Sequence, residues 1–342
     1  MQEEKGTMLR DPDRLYRRTM LRLGAALLVF LVLFRVMGPF LRGVCWLLGY
    51  RAEKVSETIS VTVSELQDGM AYLLSFMLPV LVWRWMTPRT ERQPMPFAPT
   101  VPRTVPLIIP AAVAIVLTTA VVNSRIMARW GLSFPTASLP GATAPYEAYR
   151  IVLMYLSTAL IPAFCEEFLF RGLILRQLLP FGRTVAVVVS ALTFGLMHQN
   201  AAQMFYATVA GLVLGFLCAE TGSLFSGILV HLFNNLISVT EDVLTARFPG
   251  SAGNRLNALL EMTVIAVGLL CLAVFLLRHD RAVCAAGENP WQTGQKMTRG
   301  DAALWRPEHP IRGFLCPTMA VFVAVCVFEM GYYFYILARY LW

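Results

Sequence analysis

Long apolar runs alternate with short polar or basic connections along most of the chain. Most of these runs approach the roughly 20 residues that one membrane crossing needs. The pattern predicts membrane helices near residues 22–41, 69–86, 105–122, 146–179, 184–198, 203–219, 224–240, 258–277 and 314–338. We therefore expect an all-α, polytopic integral membrane protein of eight or nine transmembrane helices.

The connections divide the chain into three segments. Residues 1–145 hold an N-terminal tail and about three helices, and residues 241–342 hold the last helices with a charged loop at about 278–313. The middle segment, residues 146–240, holds four predicted helices whose connections are very short. Such connections force consecutive helices to pack as neighbours, so this segment is predicted to be a compact core.

The composition agrees with a membrane protein and argues against nucleic-acid binding. Only 15% of the residues are charged, whereas a soluble domain carries about 25%. The net charge is +8, but the Lys and Arg residues flank the apolar runs and form no single solvated face. Several of them precede or open the first helix, which predicts a cytoplasmic N-terminus in a multi-pass protein of the cell membrane.

Two glutamates and an arginine lie inside the apolar sequence AFCEEFLFRG, where charges are costly. Residues four apart share a helical face, so Glu167 and Arg171 are predicted to form an ion pair. Adjacent residues point about 100° apart, and Glu166 is therefore turned away from that pair. We expect one structural carboxylate held by Arg171 and one, Glu166, that is free to act as a general base.

Two histidines and an asparagine follow in the next apolar helices. His198 ends the sequence FGLMH, and His231 and Asn235 lie four apart in HLFNN. His231 also lies three residues from Asn234, but we prefer Asn235 because a spacing of four keeps both side chains on one face. At a rise of 1.5 Å per residue, these residues and Glu166 converge near mid-membrane if the helices tilt.

A glutamate, two histidines and an amide in a membrane cavity are suited to hydrolysis. A glutamate can deprotonate water, a histidine can position that water, and a histidine and an asparagine can donate hydrogen bonds to an oxyanion. Two imidazoles and a carboxylate are also a common zinc set, so Glu166, His198 and His231 are candidate ligands of Zn²⁺. The residues alone do not choose between these two mechanisms.

Two more charges interrupt apolar helices outside the middle segment. Glu329 has no partner at helical spacing, and we expect it to be structural or to lie at an interface. Arg35 is expected to extend to the membrane surface or to pair two helices.

Three motifs in a fixed order, EExxxR, FxxxH and HxxxN, resemble those of a known family. It is the CAAX-protease and bacteriocin-processing (CPBP, or Abi) family of intramembrane endopeptidases, whose eukaryotic members are the type II CAAX prenyl endopeptidases. The similarity covers about residues 150–240 and includes EEFLFRGLIL, ALTFGLMH and GLVLGFLCAETGSLFSGILVHLFNN.

The resemblance implies a catalytic centre of six residues: Glu166, Glu167, Arg171, His198, His231 and Asn235. Glu166 would activate the attacking water with His198, and the Glu–Arg pair would hold the site together. His231 and Asn235 would form the oxyanion hole. Both a metalloprotease and a metal-free glutamate mechanism are argued for this family, so the question of zinc stays open.

The leading hypothesis is an intramembrane endopeptidase that cleaves a membrane-associated or lipidated protein or peptide, reached from the cytoplasmic face or laterally. Its role would be CAAX-type processing, or bacteriocin-related processing or immunity. A non-catalytic scaffold or regulator on the same fold is an alternative, but it would have lost a catalytic residue, and none is lost here. A proton-coupled transporter is another, but it predicts pseudo-symmetric halves, and no internal repeat is evident.

Overall fold

The computed structural model describes residues 11–94, 105–129, 148–282 and 307–341, and these residues form helices and no strands. The helices are α1 Pro12–Leu47, α2 Glu57–Met86, α3 Val105–Arg129, α4 Ala148–Phe181, α5 Arg183–Met197, α6 Ala201–Thr221, α7 Leu224–Arg247, α8 Ser251–Ala282, α9 Pro310–Phe314 and α10 Pro317–Leu341. Short 3₁₀ turns lie at Ala52–Lys54 and Arg89–Glu91.

Seven of the described helices, α1 to α4 and α6 to α8, are long and apolar enough to cross a membrane. The helix α5 and the segment Pro317–Tyr332 of α10 are apolar too, but shorter. The expectation of an all-α, polytopic membrane protein is therefore confirmed. Residues 95–104 and 130–147 lie outside the described part, as does much of the charged loop near 278–313.

The helices α1 and α2 begin well before the apolar runs that predicted them. Asp11 caps α1, because its side chain accepts a hydrogen bond from the Arg14 backbone N–H at 3.2 Å. Ser56 caps α2 in the same way and accepts from Ile59 N–H at 3.4 Å. Both helices thus continue beyond their apolar parts into the polar sequence at about 42–68.

The helix α4 carries the double glutamate and contains two π-helical segments. Its α-helical segments Ala148–Met154 and Ile161–Glu167 are each followed by a π-helical segment, Tyr155–Leu160 and Phe168–Leu175. Wide turns of this kind occur often at functional sites. The two glutamates therefore lie at a junction between α-helical and π-helical winding.

Small residues bring the neighbours of α4 close to one another. A Cβ atom on Gly211 of α6 would lie 2.9 Å from the Cα atom of Ala191 on α5, so only glycine allows this contact. Gly222 has φ +67° and ends α6 in a left-handed conformation, which allows the short connection to α7.

The bundle has two distinct faces along the helix axes. The ring of Tyr16, near the start of α1, lies 5.2 Å from that of Phe181 at the end of α4; we call this side the N-terminal face. On the other side Arg150, near the start of α4, pairs at 2.6 Å with Glu57 at the start of α2; we call it the opposite face. The ends of α3 and α7 and the start of α8 also belong to the opposite face by the direction of the chain.

A partly exposed ion pair joins the first long helix to the last. Arg35 Nη2 on α1 lies 2.9 Å from Glu329 Oε1 on α10 and donates a hydrogen bond to Gln199 Oε1 at 2.7 Å. The expected helix-pairing role of Arg35 is confirmed. Glu329 has a partner after all, but spacing within its own helix could not reveal one that is nearly 300 residues away in sequence.

Candidate active site

The ion pair of Glu167 and Arg171 forms the buried centre of the site. Both side chains are fully buried, and Arg171 Nη1 donates to Glu167 Oε1 at 2.6 Å. A second guanidinium nitrogen, Nη2, donates to the backbone oxygen of Gly211 on α6 at 3.2 Å. The ion pair expected from the spacing is therefore present, and it also connects α4 to α6.

His231 on α7 binds the same carboxylate. Its Nδ1 lies 2.9 Å from Glu167 Oε1, and because a carboxylate oxygen accepts, Nδ1–H donates. The other ring nitrogen, Nε2, then faces Glu166, whose Oε2 lies 3.9 Å away. This contact of His231 with Glu167 was not predicted, since nothing in the spacing of either helix indicates it.

Gly227 explains how α7 comes so close to Glu167. A Cβ atom at Gly227 would lie 2.8 Å from Glu167 Oε2 and 2.6 Å from the sulfur of Cys218. Any larger residue would push α7 away from α4. The glycine lies one helical turn before His231, so it sets the distance at which the histidine meets the carboxylate.

Glu166 is buried but keeps one oxygen available. Its residue is 5% exposed, and its Oε1 accepts a hydrogen bond from the hydroxyl of Tyr72 on α2. Its Oε2 has no hydrogen-bond partner in the described part of the chain. The carboxylate is thus oriented through one oxygen while the other is free for water or substrate.

Tyr72 is a site residue that sequence reasoning missed. It lies almost a hundred positions before Glu166 in a helix without a motif. The available signal was a single hydroxyl among apolar neighbours, and such hydroxyls are common.

Phe194, the first residue of the FxxxH motif, organises the polar side chains around it. Its ring packs edge-on against those of His198 at 5.1 Å and His231 at 5.8 Å. The Arg171 guanidinium lies 4.4 Å from the same ring centre. His198 Nδ1 lies 2.9 Å from the Phe194 carbonyl and donates to it, so Nε2 remains for the cavity.

Asn234 and Asn235 lie side by side at the same cavity. Asn234 Nδ2 donates to the hydroxyl of Tyr206 at 2.7 Å and to Asn235 Oδ1 at 3.3 Å. The amide oxygen of Asn235 is therefore occupied, whereas its NH₂ group makes no hydrogen bond to another described residue. This arrangement favours Asn235 over Asn234 as the donor to a substrate.

A cavity of about 600 Å³ brings the candidate catalytic groups together. Four of the six predicted residues line it: Glu166, His198, His231 and Asn235. Glu167 and Arg171 do not line it and lie behind the histidine instead. Three acidic side chains that no motif indicated line it as well: Glu241, Asp242 and Glu261.

The predicted zinc ligands do not fit one ion as they are placed. Among the described residues, the only three candidate ligands whose donor atoms all lie within 4.8 Å of one another are Asp13, Glu308 and His309, at the N-terminal face and partly exposed. Glu166, His198 and His231 form no such group. The donor types would suit zinc, but the positions of the atoms give it no support.

The fold and the site define a polytopic membrane protein with a buried cluster of charged and polar residues at a cavity among its helices. A comparison with family models then shows what the middle of the chain is similar to. Residues 148–237 match the family model described as type II CAAX prenyl endopeptidase, Rce1-like, which confirms the resemblance inferred from the motifs. All six predicted residues lie within the match, although it covers only about a quarter of the chain.

At the level of the family, the match supports an intramembrane protease of the CAAX type. Searches of the curated proteins and of the solved structures gave no significant match.

Proposed function

We propose that this protein is an intramembrane endopeptidase that hydrolyses a peptide bond of a membrane-associated or lipidated protein or peptide. One observation carries the proposal. Glu166, whose Oε2 has no hydrogen-bond partner among the described residues, lines a cavity together with His198, His231 and Asn235. A buried carboxylate oxygen without a hydrogen-bond partner is costly for stability, so its presence beside donors and bases supports a chemical role.

In the proposed reaction Glu166 takes a proton from a water molecule, and the water oxygen attacks the carbonyl carbon of the scissile bond. His198 Nε2 helps to position that water. The protonated Glu166 then gives its proton to the leaving nitrogen as the C–N bond breaks, so the proton returns to the products. Tyr72 keeps the Glu166 carboxylate in place during both transfers.

The oxyanion of the tetrahedral intermediate would accept hydrogen bonds from His231 and Asn235. The 3.9 Å between His231 Nε2 and Glu166 Oε2 is too long for a direct hydrogen bond and leaves room for a reacting group. With a proton on both of its ring nitrogens, His231 would donate through Nε2–H while Nδ1–H stays on Glu167. In that form the carboxylates of Glu166 and Glu167 are balanced by two cations, Arg171 and His231. The site as a whole would then be neutral in the membrane.

The first experiment compares the membrane proteome and peptidome of cells that express the wild type or Glu166→Gln. Peptides that depend on Glu166 identify the substrates and the cut positions, and His198→Ala should remove the same peptides. Glu329→Gln is the matched control, because it neutralises another intramembrane glutamate outside the cavity. The proposal would be refuted if cells with Glu166→Gln, expressed at the same level, contained the same peptides as cells with the wild type.

The metal question has its own measurement. Because the three candidate ligands do not converge on one point, we expect purified protein to keep its cleavage rate after chelation, with metal content followed by mass spectrometry. Activity that is lost on chelation and restored by Zn²⁺ alone would show that the zinc mechanism is correct.

A further inference from the structure

The cavity extends from Glu166 toward one face of the membrane only. Its polar lining residues come from the last part of α3 (Ser124), the first half of α4 (Ser157), the second half of α7 (Ser238) and the first half of α8 (Glu261). Each of these helix halves leads to the opposite face. The cavity is therefore placed to open on the side of the membrane away from the start of α1.

The charges of the two faces indicate which side that is. Among the described residues, the N-terminal face carries more basic residues than the opposite face. Those toward the N-terminal face are Arg14, Arg17, Arg18, Arg22, Arg84, Arg89, Arg92, Arg176, Arg183, Arg278, Arg281 and Arg312. Those toward the opposite face are Arg42, Arg51, Lys54, Arg125, Arg129, Arg150, Arg247, Arg255 and Arg339. The side richer in basic residues is retained in the cytoplasm during insertion. The N-terminal face is thus expected to be cytoplasmic, and the opposite face, with the cavity, to lie outside the cytoplasm.

Three carboxylates line this part of the cavity without a cation. Glu241, Asp242 and Glu261 form no ion pair with any described residue, and Glu241 Oε1 is buried without a hydrogen-bond partner. The same cavity is lined at its inner end by Glu166, a residue that is 5% exposed and whose Oε2 has no hydrogen-bond partner among the described residues. Carboxylates that share a low-dielectric space repel one another, and a bound cation would relieve that repulsion.

We propose that substrate enters from outside the cytoplasm through this acidic vestibule, formed by Glu241, Asp242 and Glu261, and presents a positively charged group to it. That group would be a Lys or Arg side chain or a free amino group near the scissile bond. The identity of the occupant as a substrate rests on the proposed function. The direction and the charge preference of the vestibule do not depend on catalysis. The proposed direction of entry differs from the expectation of access from the cytoplasmic face or laterally.

The test uses a cysteine in the cavity. Ser238→Cys places a thiol at an exposed position of the lining, and Thr90→Cys places one at an exposed position of the N-terminal face. Each variant is reacted in right-side-out and inside-out vesicles with methanethiosulfonates that carry trimethylammonium or sulfonate. The parent protein, with its native cysteines, gives the background rate.

We expect Ser238→Cys to react in right-side-out vesicles and Thr90→Cys only in inside-out vesicles. For each thiol we take the ratio of the reaction rate with the cationic reagent to the rate with the anionic one. This ratio should be about tenfold higher for Ser238→Cys than for a small thiol in solution. Adding Glu241→Gln, Asp242→Asn and Glu261→Gln together should abolish that preference. Reaction of Ser238→Cys only in inside-out vesicles, or a preference that the triple variant keeps, would overturn the proposal.

Repeating the reaction in Glu166→Gln separates the two proposals. An inactive protein should show the same sidedness and the same charge preference, so a failure of the peptidase hypothesis leaves these results unchanged. Lys, Arg or a free amino terminus should occur near the cut positions found in the peptidome more often than expected by chance. A lack of such enrichment would contradict the role of the vestibule in substrate choice.

Discussion

Glu167 accepts hydrogen bonds from Arg171 and His231 through one oxygen atom. It therefore does more than neutralise an arginine in the membrane, because it also fixes which nitrogen of His231 faces the cavity. Glu166, its neighbour in sequence, is held by Tyr72 from another helix. Two adjacent glutamates thus have separate partners and separate roles.

Removing the carboxylate of Glu167 should destabilise the protein. In Glu167→Ala the fully buried Arg171 loses its counter-ion, and stranding a buried charge costs about 3–5 kcal/mol. We expect a clear fall in the thermal unfolding midpoint of the purified protein in detergent.

Asp68→Asn is the control for that variant, because it breaks a pair with Arg42 that is more than half exposed on both sides. Exposed pairs contribute little, so its midpoint should not move measurably. Equal midpoints for Glu167→Ala and the wild type would show that the buried pair is not structural.

The hydroxyl of Tyr72 should matter for rate and not for folding. Tyr72→Phe keeps the ring that stacks on Phe76 at 4.7 Å but removes the donor to Glu166. We expect kcat on a substrate from the peptidome to fall about 10- to 100-fold with little change in KM, because the loss affects the orientation of a general base. An unchanged kcat, or a matching loss of thermal stability, would remove Tyr72 from the positioning role.

At the scale of helices, the approach of α7 to α4 depends on Gly227, and the wide turns of α4 lie directly beside the glutamates. Helix propensity alone would favour alanine over glycine by about 1 kcal/mol. The glycine is explained by the close contact with Glu167 and Cys218, since a side chain there would separate the two halves of the site.

Gly227→Ala should consequently lower both stability and cleavage. The added methyl group would meet the Glu167 carboxylate at 2.8 Å, so α7 has to shift and His231 moves with it. Gly331→Ala in α10 is the matched control, since its Cβ would have nothing within 4 Å and alanine favours the helix. If both variants behaved like the wild type, the close approach of α7 would not be required.

The sequence predicted those features of the helices that depend on local spacing. The Glu167–Arg171 pair follows from a four-residue repeat, and the middle helices follow from short connections. The contacts of Tyr72 with Glu166, and of His231 with Glu167, join residues far apart in the chain, and no periodicity encodes them. The early starts of α1 and α2 were missed because polar caps and polar first turns continue a helix beyond its apolar run.

At the scale of the whole molecule, the outer helices complete the site that the family motifs only begin. The match covers residues 148–237, yet Tyr72 comes from α2, Ser124 from α3 and Glu261 from α8. The pair of Arg35 and Glu329 joins α1 to α10 around the bundle. The segments outside the match therefore hold the carboxylate of Glu166 and shape the cavity.

The position of the cavity is the feature that the sequence revealed least. Each acidic residue of the vestibule lies in a predicted helix or next to one, but only the packing of α7 against α8 brings them to one space with Glu166. Three-dimensional packing of this kind depends on side-chain fit between helices that a hydropathy pattern does not resolve.

The central claim is that Glu166 activates water for peptide hydrolysis inside the membrane. The most direct measurement is single-turnover cleavage of a peptidome substrate by purified, metal-depleted protein in proteoliposomes, for the wild type, Glu166→Gln and Glu329→Gln. We predict that the wild type and Glu329→Gln cleave, whereas Glu166→Gln, with an unchanged unfolding midpoint, is slower by about 10² to 10⁴. Cleavage by Glu166→Gln at the wild-type rate would contradict the account.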